Sequence, residues 1–483
     1  MVWSKRKHKL TLASVFTVAA VLYALISLVN HYLFKTYALD LGLYTHALYD
    51  YAHLRAADCG MFKDASLSLL SDHFDLYLPL LSPLVYVFGT YTLLVVQIVA
   101  VLLGGWGVYK LIGLYTDDRR MPVLAAVAFF FSFGIIQAIA FDYHSNVLAA
   151  MMLPWLLCFL KQRSFGLATL FAVLFVIGKE NMSLWLFFIA LGLMWDYRKD
   201  RAAMWHLLAY AVFSIAYFFI VNMVVMPALG GDGGGFARYV YLGDNYAEMA
   251  GYLVSHPLEM LRILFTNTTG WAKYDGIKEE FYLCALASGM LLTLLKPNYL
   301  LMLVPLIAQK MLAVDPHFWG ISFQYSVEFV PVLVVSSFLV IIRLKKSGWR
   351  LVLGIALLLS TVLTTFYTVG VPKSVIMVDQ LCVYQGRHYE QKEFDVAYAR
   401  ELMAMIPDDA TVSAATMFVP HLALRDGIQN YANANGTVEA EYILITEHYV
   451  NYLHKGKLAF TNREDYETIA SDGAIHLLKR KTP

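Results

Sequence analysis

MVWSKRKHKLTLASVFTVAAVLYALISLVNHYLFKTYALDLG, residues 1–42, has four Lys or Arg in its first nine residues, then an apolar run at 10–29, then the acidic turn Leu39-Asp40-Leu41-Gly42. At a helical rise of ~1.5 Å per residue, such a run reaches across the ~30 Å hydrocarbon core of a bilayer. No A-x-A-like cleavage site follows it, so an uncleaved first span is expected, with its basic flank in the cytoplasm.

The whole chain suits the same solvent. Of its 483 residues, 59% are hydrophobic and 15% charged, against ~45–50% and ~25% in soluble domains. That balance excludes a soluble enzyme and a disordered regulator. The net charge of +1 also excludes nucleic acid as a partner, because a phosphate backbone is bound by a concentrated basic face. Cys59, Cys158, Cys284 and Cys382 have neither CxxC nor metal-ligand spacing, so no disulfide framework or zinc site is expected.

Apolar stretches at 10–32, 90–115, 121–140, 145–160, 165–178, 182–195, 203–226, 281–295, 298–314, 326–343 and 350–370 predict a mostly α, polytopic bundle of about 11 transmembrane helices. Several fall short of the ~20 residues of a full span, which suits helix ends that line a cavity rather than lipid. With the N-terminus inside, the cytoplasmic connections hold 17 Lys or Arg in 41 residues and the outer ones 8 in 133. Short loops rich in positive charge stay inside, so this asymmetry supports the orientation. The segment LYLPLLSPLVYVFG, 76–89, is too short to cross and contains Pro79 and Pro83, and a helix half-embedded in the outer surface is expected. It ends a long first outer loop, 31–89. After 370, charges and turn residues return, as in Pro407-Asp408-Asp409-Ala410. Residues 1–370 are therefore expected to form the membrane domain and 371–483 a small extracytoplasmic α/β domain, with a strand at Tyr442-Ile443-Leu444-Ile445 and a helix over 394–405.

Polar groups beside spans are costly to bury, which makes them the candidates for chemistry. Asp40 can serve as general base toward a hydroxyl acceptor or as an interfacial helix cap, and Gly42 allows close backbone approach. Ser71-Asp72-His73-Phe74-Asp75 offers ligands for a divalent cation or, at Asp75, a helix cap. No metal is required; should a divalent cation be used, Asp72 and His73 are its candidates. The short turn Phe141-Asp142-Tyr143-His144 holds Asp142 and His144 over the outer mouth, His144 as a phosphate contact or an ordinary turn residue. In Gly178-Lys179-Glu180-Asn181, Lys179 can hold a phosphate and Glu180 can orient it, or the two neutralise each other in a turn. The glycine run 230–235 lacks a nucleotide-loop pattern and precedes Arg238-Tyr239-Val240-Tyr241. It is either a linker or a lid that brings Arg238 and Tyr241 to a phosphate or sugar. Gln324-Tyr325-Ser326 with Glu328 adds a polar group, including Tyr325, on the same outer side.

The order of these motifs resembles an uncharacterised prokaryotic family of multi-pass membrane proteins, domain of unknown function 2079. The residues that carry the resemblance are Leu39-Asp40-Leu41-Gly42, Asp72-His73-Phe74, Phe141-Asp142-Tyr143-His144, Lys179-Glu180-Asn181, Arg238 to Gly243, and Gln324-Tyr325. In the tail, Ile406 to Ala414 and Pro420-His421-Leu422 look like the family's closing segment, so the resemblance covers nearly the whole chain. Asn181 and Ser145 depart from the residues often found at those places in relatives. The family in turn resembles the GT-C superfamily of integral-membrane glycosyltransferases. That resemblance implies a cytoplasmic N-terminus, a bacterial inner-membrane location and a polyprenyl-phosphate-linked sugar as donor. It also implies transfer on the outer face to a glycan, lipid or protein acceptor, with Asp40 at the catalytic acidic position. Two other classes compete: a transporter or lipid flippase, which uses broken spans and midplane charges, and a scaffold or sensor acting through its tail.

Overall fold

The computed structural model describes residues 5–62, 67–231, 235–370, 373–374, 378–431, 438–454 and 463–481. In chain order the main helices are α1 (Lys5–Tyr32), α2 (Leu43–Ala52), α3 (Thr92–Gly113), α4 (Arg120–Phe130), α5 (Phe133–Ala140), α6 (Ser145–Lys161), α7 (Phe165–Val176) and α8 (Met182–Tyr197). They continue with α9 (Arg201–Ile220), α10 (Ile277–Ala285), α11 (Pro297–Met311), α12 (Phe329–Ile341), α13 (Ser347–Gly370), α14 (Val396–Ala404) and α15 (Val419–Leu422). Among the described residues, five short strands complete the set: β1 (Val412–Ala414), β2 (Ile428–Asn430), β3 (Tyr442–Thr446), β4 (Tyr466–Ser471) and β5 (Ile475–Arg480). The molecule is thus mostly helical with a small C-terminal sheet.

Each apolar stretch of the sequence contains helix. Among the described residues, four helical runs, Leu10–Tyr32, Tyr77–Gly113, Arg201–Ala228 and Ser347–Gly370, are long and apolar enough to cross a membrane alone. A fifth arises if α4 and α5, bent by 42° across Phe131 and Ser132, count as one span. α6, α7, α8 and α12 are apolar but shorter, so a higher count depends on spans that do not reach across by themselves.

The chain forms two compact units, one of residues 1–24, 97–228 and 232–381, the other of 25–96, 229–231 and 382–483. In the first unit, close helix approach rests on small residues. A Cβ on Gly104, Gly105 or Gly107 of α3 would meet Met151, Phe130 or Pro154. After α10 the helical path breaks at Gly289, whose φ of 124° is closed to most side chains. The Gly289 carbonyl accepts from the hydroxyls of Ser337 (2.9 Å) and Thr293 (3.0 Å), which is how a break survives where water is scarce.

The second unit holds the sheet, in the order β2-β1-β3-β5-β4. β1 runs parallel to β2 and β3, and β5 antiparallel to β3 and β4. β3, Tyr-Ile-Leu-Ile-Thr, is buried at all five positions, as expected of a central strand covered on both faces. In the same unit, the turn after α1 packs on the start of α15: a Cβ on Gly42 would lie 2.9 Å from Val419 Cγ1.

Candidate functional site

In the first unit, Asp142 follows α5 with a φ of 42°, left-handed for a non-glycine. Gln97 of α3 fixes this turn. Its Nε2 donates to Asp142 O at 2.8 Å and its Oε1 accepts the His144 N–H at 3.0 Å. One buried amide thus satisfies both sides of a backbone turn that the bilayer would leave unpaired. His144 Nδ1 donates to Tyr143 O at 2.6 Å, with its ring edge-on to Phe141. Asp142 and His144 are 4% and 5% exposed.

One turn into α6, Asn146 Nδ2 donates to Glu328 Oε1 at 2.7 Å. Glu328 is buried just before α12, and Lys310 and Lys179 are the cations that act on it. Lys310, in the last turn of α11, donates to Gly320 O (2.5 Å), Tyr325 O (3.3 Å) and Ser326 Oγ (3.4 Å). The Lys179-Glu180-Asn181 turn between α7 and α8 is half-buried. Asn181 Nδ2 donates to Gln309 Oε1 at 3.0 Å, and Glu180 acts electrostatically on Tyr217 of α9. Three separate sets of polar contacts thus hold these loops: Gln97 on the turn of Asp142 and His144, Lys310 on the carbonyl of Tyr325, and Gln309 on the Lys179-Glu180-Asn181 turn through Asn181.

Arg238 and Tyr241 reach the same end of α11. Tyr239 and Tyr241 hydroxyls donate to Gln309 O and Leu312 O, each at 2.8 Å, and the Val314 N–H donates to Arg238 O at 2.9 Å. Leu242, Met260, Ile263 and Leu312 form an apolar core beneath this segment, and burial pushes the Tyr239 phenol up to about 12. The segment that the sequence left as either a lid or a linker is docked at Arg238, Tyr239 and Tyr241, while Asp232, Gly233 and Gly234 lie outside the described residues. The Arg238 guanidinium sits 5.0 Å over the Phe318 ring, which stacks on Tyr325 at 4.3 Å. Phe141 meets Phe323 at 4.5 Å, and Phe323 has a φ of 60°. Left-handed non-glycine backbone is strain, which folds tend to retain at working sites.

Asp40, Asp72 and His73 belong to the second unit. Asp40 lies half-buried in a π-helical turn, Ala38–Gly42, directly ahead of α2. The group that comes close to Gly42 is Val419, with the Pro420 backbone behind it. Asp75 Oδ1 accepts the Tyr77 N–H at 2.8 Å, at the start of a short helix, Tyr77–Leu81, whose N-cap position is Leu76 rather than Asp75. Asp72 ends a single helical turn, Leu69–Asp72, and His73 follows it in extended backbone. Among the described residues, no three His, Cys, Asp or Glu side chains are grouped to hold a metal. Nearby in chain, Arg55 pairs with Asp50 at 2.9 Å and Asp426 at 2.6 Å. Burial raises the Asp50 carboxyl above its usual range, while Arg55 lowers that of Asp426.

Sequence reasoning passed over Gln97, Asn146, Gln309 and Lys310. Their signal was present: an amide or ammonium inside an apolar run is costly enough to need a partner.

The chain belongs to the family described as predicted membrane protein, DUF2079, whose model matches residues 30–472, and it is a membrane protein. No curated protein matches it significantly in sequence. Among solved structures, ArnT from Cupriavidus metallidurans bound to undecaprenyl phosphate is similar with 11% identity over 97% of each chain and a TM-score of 0.52. The Archaeoglobus fulgidus oligosaccharyltransferase, tethered with an acceptor peptide, is 12% identical over 99% of this chain and 74% of that one, with a TM-score of 0.45. Arabinofuranosyltransferase AftD from Mycobacteria is 13% identical over 100% of this chain and 40% of that one, also at 0.45. These neighbours are GT-C glycosyltransferases, and the end-to-end match to ArnT makes the fold of this chain GT-C-like.

Proposed function

We propose that this protein is an integral-membrane glycosyltransferase of a bacterial inner membrane, taking a sugar from a polyprenyl-phosphate carrier to an acceptor hydroxyl on the extracytoplasmic face. Its N-terminus is cytoplasmic, its tail is extracytoplasmic, and the short apolar helices complete about 11 spans. The observation that carries this reading is the near end-to-end likeness in fold to ArnT, a protein whose structure holds undecaprenyl phosphate.

The chemistry needs little from the protein. The acceptor oxygen attacks the anomeric carbon and forms the new C–O bond. The bond from that carbon to the phosphate oxygen breaks, its electron pair leaves with the polyprenyl phosphate, and the acceptor proton passes to the Asp40 carboxylate. Phosphate is a stable leaving anion, so cationic stabilisation serves where an acid would otherwise be needed. Lys179 supplies it, with Arg238 or His144. Glu180 orients Lys179, and the Asp142 turn, held by Gln97, sets the His144 position. Tyr325, stacked on Phe318, and Tyr241 offer aromatic faces to the sugar. Should a divalent cation be used, Asp72 and His73 would be its candidate ligands, although no third His, Cys, Asp or Glu joins them among the described residues. The acceptor is a glycan, lipid or protein.

The test is transfer in vesicles from a polyprenyl-phosphate sugar. Loss of a general base costs on the order of 10²–10⁴-fold, so Asp40→Asn is expected to lose that much turnover with unchanged thermal unfolding. Full turnover excludes Asp40 as base. The bend between α4 and α5 and the buried Glu328 also suit a carrier. Movement of labelled polyprenyl phosphate across the vesicle, without any glycosylated product, favours that rival.

A further inference from the structure

We infer that residues 416–420 of the tail are a clamp for the Asp40 turn, with Thr416 as its positioning residue. This rests on the reading of Asp40 as base. The turn Ala38–Gly42 is five residues long, and both of its ends are held by the same short stretch of tail. At its start, the Ala38 N–H donates to Thr416 Oγ1 at 3.1 Å. The first N–H groups of a helical turn have no partner inside it, so the hydroxyl fills a place that water would otherwise take. At its end, Gly42 lies against Val419 Cγ1 and Pro420 N, at 2.9 and 3.5 Å from where a Cβ would stand. Asp40 sits between these two fixed points.

The tail also holds the chain on both sides of the turn. Upstream, Gln391 Nε2 donates to Leu33 O at 2.9 Å and Lys35 Nζ to His388 O at 2.8 Å. Phe34 is wedged against Phe418 and His421. Downstream, His46 Nδ1 donates to Ala423 O at 3.0 Å, and Arg55 pairs with Asp426. The turn runs on helically into α2, so its N-terminal end is the one that frays among many backbone states without such contacts. A base works only within hydrogen-bond reach of its proton, and a 1 Å displacement costs roughly 10²-fold. The tail therefore sets the height and direction of the carboxylate without touching the reacting atoms.

The experiment pairs hydrogen exchange with kinetics on the full-length protein in vesicles. Thr416→Val keeps the shape and deletes the acceptor. It is expected to raise amide exchange across 38–42 about fivefold or more, the equivalent of one hydrogen bond. The kcat is expected to fall roughly tenfold to a hundredfold with donor KM within about twofold, and Thr416→Ser to restore both. Gly42→Ala, which presses on Val419 from the other end, is expected to give the same pattern, and stands in if Thr416→Val does not fold. Unchanged exchange in both variants overturns the clamp, whatever the enzyme does. Faster exchange with full kcat, where Asp40→Asn is inactive, overturns its positioning role. A fully active Asp40→Asn instead removes the reading of Asp40, and faster exchange then leaves the clamp as a structural contact alone.

Discussion

Lys310 has 3% of its surface exposed, and its ammonium reaches Gly320 O, Tyr325 O and Ser326 Oγ while acting on the Glu328 carboxylate. Removing the ammonium takes the donor away from the Gly320 and Tyr325 carbonyls, at about 1–3 kcal/mol, and takes one nearby cation away from Glu328. Lys310→Met is therefore expected to lower the unfolding temperature in detergent clearly, and Lys310→Met with Glu328→Gln to recover part of the loss. Equal melting of wild type and Lys310→Met rejects this account. The lysine itself was visible, alone in Ala-Gln-Lys-Met within an apolar run. Its partners were not, because they lie 10 to 18 residues away around a loop whose path no local pattern dictates. Gln97 and His144 are 47 residues apart for the same reason. Asp40 and Lys179 drew notice in the sequence because a bilayer makes a charge at a span end conspicuous, which says nothing yet of their roles.

Hydropathy located the helices because burial in lipid and burial in protein ask for the same side chains. The interruptions were harder to see: neither Phe131-Ser132 nor Gly289 changes the apolar character of its stretch, so only the fold separates α4 from α5 or breaks the path after α10. The Gly-Gly-Trp-Gly seam of α3 is a property of neighbouring helices rather than of α3. Phe130, fully buried, lies where the Cβ of residue 105 would stand. Overpacking of this kind costs roughly 1–3 kcal/mol. Gly105→Ala is thus expected to lower the melting temperature, while Gly166→Ala, which faces open space at the start of α7, is expected to be silent. Similar melting of the two variants contradicts close packing along α3.

Across the whole molecule, the bias of Lys and Arg toward one set of loops makes a labelling prediction. All four native cysteines are buried, so background is low. A membrane-impermeant maleimide is expected to label Asp408→Cys in intact spheroplasts and to spare Lys199→Cys until the membrane is opened. The reverse pattern inverts the proposed orientation. The bundle and the small sheet were readable from composition and period, but the shared unit of residues 25–96 and 382–483 was not, since nothing local marks a partner so remote in sequence. That arrangement carries a consequence for biogenesis. Once residue 96 leaves the ribosome, roughly 290 more must be made before its partner segment begins, a wait of about 15 to 60 s at 5–20 residues per second. Throughout that interval Phe34 and its neighbours await their cover, so nascent or truncated chains should be prime clients for membrane chaperones and quality-control proteases.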